Sequence, residues 1–131
     1  MTFDLNKQKT FRFRNFKVYQ ETRGVNIKIK NLVKKNFPKE ELYGLTSQIC
    51  RALDSIILNI AEGSERGSDK DFAHFLNLSN SSLHEVVSCL DVAFDNKYIT
   101  EKELEENIEL LEKLANQLTA FRKSLINKPT K

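Results

Sequence analysis

The sequence predicts an all-α protein, an antiparallel up-down-up-down four-helix bundle, and three observations lead there. Apolar residues recur at helical spacing through most of the 131-residue chain. Four glycines and two prolines in the whole chain, with 30% charged residues, fit neither a β-rich nor a disordered composition. Short polar breaks divide the periodic stretches into segments of similar length, which favours antiparallel neighbours. A single domain of this size buries roughly two-thirds of the surface its unfolded chain exposes.

The elements follow in order. Residues 1–15 form a basic and aromatic N-terminal segment, residues 16–126 the bundle, and residues 127–131 a tail. The first helix spans about 16–36, with Val18, Val25, Ile29, Leu32 and Val33 on its core arc and Pro38 forcing the break behind it. A second helix covers about 39–63. Its apolar positions Leu45, Ile49, Leu53, Ile56, Ile57 and Ile60 lie within an arc of about 120°, and Gly63 and Gly67 supply permissive turn positions. The third, about 69–95, starts from Ser68 as N-cap with Asp71 three residues on, and places Phe72, Phe75, Leu76, Ser79, Leu83, Val86, Val87, Leu90 and Phe94 on one face. Ser79 marks a close helix contact. Thr100 with Glu103 reads as a capping box for the fourth helix, about 101–126, lined by Leu104, Ile108, Leu111, Ala115, Leu118 and Leu125.

Several functional classes find little support. No apolar run reaches the roughly 18 residues of a membrane span and the polar N-terminus has no signal-peptide core, so a cytoplasmic location is expected. Cys50 and Cys89 show no metal-ligand spacing and are expected to be reduced and mostly buried. Bundle-core metal enzymes repeat Glu-x-x-His pairs, whereas here only Asp71-x-x-His74 approaches that spacing, once. Phosphate-cradling glycine loops and nucleophile motifs are absent from the sequence. The expectation is a protein that is not an enzyme and uses no metal or cofactor.

Charge is more informative. Residues 1–36 hold ten Lys/Arg against Asp4 and Glu21, a net of +8, while residues 37–99 hold five against ten, a net of −5, and residues 100–131 balance. On the first helix Lys17, Lys28 and Lys35 form one flank and Arg23, Lys30 and Lys34 the other, with Phe16 and Ile27 on the exposed side between them. Upstream, Arg12 and Arg14 alternate with Phe11, Phe13 and Phe16, a composition suited to stacking on bases while neutralising phosphate. An ordinary soluble surface, and an N-terminal segment whose Phe13 and Phe16 pack on the bundle, are the alternative readings of these features. Arg66 and Lys70 flank the loop joining the second and third helices, where backbone N–H groups at the start of the third helix could help hold an anion; ordinary capping by Asp71 and solvation is the favoured reading.

Gln48, Arg51, Ser55, Asn59 and Glu62 form a polar stripe on the second helix. The favoured reading is structural, with these groups bonding across a helix or subunit contact; ligand binding is the alternative. Arg51 and Glu62 sit roughly 16 Å apart along the axis, too far to pair with each other. Phe16, Ile27, Leu78 and Val92 are apolar positions that a monomer leaves partly wet, and they are the expected oligomer contacts.

These residues also carry a resemblance. Phe37 to Gln48 (FPKEELYGLTSQ), then Arg51, Ala52, Ser55 and the run Asn59-Ile60-Ala61-Glu62-Gly63, then Arg66 with Ser68 to Leu76, resemble the S23-type four-helix-bundle proteins encoded by intervening sequences of 23S rRNA genes. Relatives of that family include accessory variability proteins of diversity-generating retroelements. The resemblance implies a ring-shaped homo-oligomer, specifically a homopentamer, and it brings Arg51 and Arg66 into the basic set. Cys50 replaces a second basic residue usual in the family, which weakens a paired-arginine site; the lack of proline near Leu58 and of glycine at Ser81 reads as packing variation. The expected function is a non-enzymatic oligomeric scaffold binding RNA or another nucleic acid. A protein-interaction adaptor resembling the reverse-transcriptase accessory proteins is the alternative, and a purely structural oligomer a third.

Overall fold

The computed structural model describes residues 10–127. The first nine residues of the basic and aromatic segment and residues 128–131 of the tail lie outside the described residues. Four helices form the body: α1 (Lys17–Asn36), α2 (Leu45–Ser64), α3 (Asp69–Asp95) and α4 (Glu101–Ile126). Helix α1 packs on α2 and α4, α2 on α3, and α3 on α4, and among the described residues the backbones of diagonal helices do not come within 8 Å of each other, Cα to Cα. That is the neighbour pattern of an up-down-up-down bundle.

Local chemistry sets most helix ends. Ser68 accepts a hydrogen bond from the Asp71 amide at 3.1 Å, and Thr100 and Glu103 exchange reciprocal bonds of 3.1 and 2.9 Å. Helix α2 departs from expectation: it starts at Leu45, six residues later than 39. Residues Lys39–Glu41 instead form a 3-10 turn, and Gly44, at φ −112° and ψ −111°, breaks the path. Glu41 then caps the true start, accepting from the Leu45 amide at 3.1 Å.

The core is aliphatic along its length. Ile29, Ile49, Ile56, Ile60, Val86, Leu90, Leu111 and Leu118 are essentially inaccessible. Aromatic rings close both ends. Phe72 packs against Phe16 and Phe121 with centroids 6.2 and 5.2 Å away, and Phe37 meets Tyr98 at 5.7 Å.

Packing departs from the apolar pattern in several places, including α4, where Asn107 is buried. On α1, Thr22 and Asn26 occupy buried positions among Val18, Ile29 and Val33. Thr22 satisfies its hydroxyl on the Val18 carbonyl at 2.6 Å, and Asn26 donates to Asp54 of α2 at 3.0 Å. Near the end of α3, Ala93 takes the core position while Phe94 remains 36% exposed. Gly63, expected in a turn, lies inside α2 against α3: a Cβ there would stand 2.6 Å from Phe75 Cβ and 2.9 Å from Phe72 Cδ1. Its role is close helix approach. Farther along the same contact, Ser79 of α3 is fully buried and donates to the Ile56 carbonyl at 2.9 Å, so small residues line the α2–α3 seam.

Candidate functional site

Six basic residues lie on α1 against Glu21 alone among its acidic residues. Lys28, Lys34 and Lys35 are exposed, as is Arg23, whose guanidinium stands 6.0 Å from the Tyr19 ring centre. Lys17 pairs loosely with Glu21 at 3.7 Å on the solvent side. Lys30 differs, because its Nζ is 2.6 Å from Asp54 of α2 and is engaged within the subunit. Arg12 reaches the Ser64 carbonyl at 3.4 Å and lies over Phe16, 5.7 Å from the ring centre. Arg14 is half-buried, and its carbonyl accepts from Gln20 at 2.9 Å. The exposed cations are thus spread along one helix, with Arg12 and Arg14 in the preceding 3-10 turn Arg12–Asn15.

The two cations added by the resemblance lie elsewhere. Arg51 is exposed on α2, and its side chain makes no hydrogen bond or ion pair to another described residue. Arg66 bonds Glu62 across one helical turn and covers the Phe75 ring at 4.5 Å. Glu62 therefore has a local partner, a pairing at i,i+4 spacing that was readable in the sequence.

The α2 stripe divides. Ser55 shares a 2.8 Å hydrogen bond with Ser82 of α3. Asn59 donates back to the Ser55 carbonyl and hydroxyl at 2.9 and 3.1 Å. Gln48 and Arg51 face solvent. Beside Asn59 and Glu62 a cleft of about 680 Å³ separates the C-terminal half of α2 from residues 10–13.

Of the expected oligomer contacts, Phe16 is instead packed within the subunit between Phe72 and Phe121. The chain enters α1 through an extended Phe16, which turns the ring toward the bundle end. Ile27, Leu78 and Val92 are 60%, 38% and 45% exposed. Leu58 and Tyr43, which the sequence reading did not single out, are more exposed still at 65% and 93%.

Asp54 and Glu41 tie separate segments of the chain together, pairings that sequence alone did not reveal. In Asp54, burial acts to raise the pKa, but the hydrogen bonds and charge of Lys30 and Asn26 outweigh it and hold the group below its ordinary 3.8. Glu41 is held below 4.5 by the Leu45 amide and by Tyr98, whose hydroxyl donates to it at 2.8 Å; Glu103 is held below 4.5 chiefly by the Thr100 amide. A depressed folded pKa contributes stability that is complete above the unfolded value and lost as pH falls through the folded one. Acid titration followed by circular dichroism should therefore show constant stability well above pH 4.5 and progressive loss below it. The Asp54→Asn variant should lose less stability than the parent across the interval below 3.8.

Burial raises the thiol pKa of both Cys50 and Cys89, which disfavours the thiolate. Among the described residues no group of three or more His, Cys, Asp and Glu side chains is placed to hold a metal, and no helix is long and apolar enough to cross a membrane.

Residues 14–120 match the family described as 23S rRNA-intervening sequence protein. No curated protein matches the chain. Among solved structures, a protein of unknown function from the S23 ribosomal protein family of Bacteroides thetaiotaomicron VPI-5482, determined at 1.70 Å resolution, superposes with a TM-score of 0.73. Identity is 24%, over 81% of this chain and 98% of that one, a likeness that establishes a common fold. Because the family match runs from the 3-10 turn through most of α4 and so takes in the whole bundle core, the chain belongs to the 23S rRNA-intervening sequence protein family.

Proposed function

We propose that the protein is a non-enzymatic, oligomeric four-helix-bundle scaffold that binds RNA or another nucleic acid through the outer surface of α1. The observation that carries this reading is the set of exposed cations along two flanks of α1, Lys17, Lys28 and Lys35 on one and Arg23 and Lys34 on the other, continued upstream by Arg12. A soluble surface of mixed sign does not need such segregation. A polyanion gains from it by releasing counterions from several phosphates at once. Arg51 and Arg66 play at most an auxiliary part, since they lie off the α1 surface and Arg66 is already paired.

Exposed apolar residues support self-association. Ile27 lies on α1, Leu78 and Val92 on α3, and those helices are diagonal in the bundle. Apolar positions on opposite sides suit head-to-tail contacts, which close into rings when the rotation allows. A homopentamer is the form that the family resemblance implies. Exposed Leu58 on α2 and Tyr43 in the turn before it favour a second reading, a protein-interaction adaptor that docks a partner on that side of the bundle.

Fluorescence anisotropy with structured and single-stranded RNA tests the first reading. A log–log salt slope of roughly −3 to −6 is expected for the parent. A variant carrying Arg23→Gln, Lys28→Gln, Lys34→Gln and Lys35→Gln should flatten that slope by about one for each phosphate it no longer neutralises. Lys30 is left in place because it holds Asp54. Light scattering should give the same oligomer mass for parent and variant. A monomer would defeat the ring, and absence of RNA binding at low salt would turn the assignment toward the adaptor.

A further inference from the structure

We propose that the cleft between Phe11–Phe13 and the C-terminal half of α2 takes one unpaired guanine base of a single-stranded RNA whose backbone lies on the basic surface. This rests on the nucleic-acid reading above and adds a base-selective element to it. The cleft, about 680 Å³, falls within the range of about 300–1,000 Å³ usual for small-ligand sites.

One wall is aromatic. Phe13 is braced edge-on against Tyr19 at 5.0 Å and against Phe11 at 6.4 Å, while Phe11 itself is 54% exposed. A braced ring beside an open one is an arrangement on which a base can stack, and single-stranded recognition uses such platforms.

The opposite wall offers hydrogen-bond acceptors. Asn59 spends its Nδ2 on the Ser55 carbonyl, which only accepts, so the amide orientation is set and Oδ1 is the atom left over. Glu62 gives one carboxylate oxygen to Arg66 and keeps the other. Glu65 is exposed, and its side chain has no hydrogen bond or ion pair to another described residue. The free side-chain acceptors on this wall, on Asn59, Glu62 and Glu65, favour a donor edge. Guanine presents two adjacent donors, N1–H and the 2-amino group, that one carboxylate can accept together. Adenine and cytosine each place an acceptor beside their amino group, and uracil flanks its single N–H with carbonyls. The same carboxylates disfavour phosphate inside the cleft, and Arg12, which also lines it and donates to the Ser64 carbonyl at 3.4 Å, supplies the cation for the adjoining backbone.

The test compares uridine-rich single-stranded RNAs carrying one central guanine, inosine, adenine or uridine, by anisotropy across a salt series. The expected result is binding about tenfold tighter for guanine than for adenine or uridine, with inosine, which lacks the 2-amino group, in between. Glu65→Gln and Phe11→Ala should each reduce that preference to about twofold or less while leaving the salt slope in place. Both positions are exposed, and circular dichroism verifies folding. Equal affinity for all four strands with a retained salt slope would overturn the guanine site and leave the α1 reading standing. Guanine preference undiminished in both variants would overturn it too, by placing selectivity elsewhere. Loss of binding to every strand at low salt would remove both readings together.

Discussion

Gly63→Ala is expected to lower stability by about 1–2 kcal/mol, although alanine is the better helix former. Inside a helix the exchange alone favours alanine by roughly 0.5–1 kcal/mol. Here the new Cβ would meet Phe75 Cβ at 2.6 Å and the Phe72 ring at 2.9 Å. Phe75 Cβ moves only with its backbone, so α2 and α3 must separate, an overpacking cost of about 1–3 kcal/mol that exceeds the propensity gain. Thermal denaturation should show a fall in Tm on the order of 3–10 °C. Gly67→Ala is the control: its Cβ meets nothing within 4 Å, and its φ is not positive. An unchanged Tm for Gly63→Ala would mean that the α2–α3 contact yields freely and that this glycine has another role.

Phe72→Ala should cost more, about 3–5 kcal/mol, a large share of the roughly 5–15 kcal/mol that stabilises a typical domain. Phe72 is 3% exposed and is the ring shared by Phe16 and Phe121, which also touch each other at 5.4 Å. Removing it opens a void where the 3-10 turn, α1, α3 and α4 converge. Since Phe16 leads into α1, the void should also loosen the seat of the Arg12–Asn15 turn and the cleft beside it. Denaturant unfolding would report the stability change, and a cost below about 1 kcal/mol would show that Phe16 and Phe121 collapse to fill the space. Combined with Gly63→Ala the effects should not add, because the Phe72 ring is one of the two groups the new methyl meets.

The basic α1 surface was legible because its residues share one helix, where spacing converts directly to position. The cleft was not. It joins the FRFRN segment to Asn59, Glu62 and Glu65, roughly fifty residues later in the chain, and only the direction in which the chain enters α1 puts them side by side. Similarly, the sequence places Lys30 among the phosphate ligands, and only the fold sets Asp54 opposite it on α2.

By itself, the sequence determined the helical class, the antiparallel order, the caps at Ser68 and Thr100 and the charge segregation, because each depends on residues within a few positions of one another or on simple periodicity. Tertiary structure decided the late start of α2 behind Glu41, the inward turn of Phe16, the buried polar face of α1 and the demand for glycine at position 63. Those outcomes depend on what one helix presents to its neighbour across a distance of a few ångströms. A hydrophobic pattern states which face is covered, but the covering side chain, its size and its hydrogen-bonding atoms belong to another part of the chain.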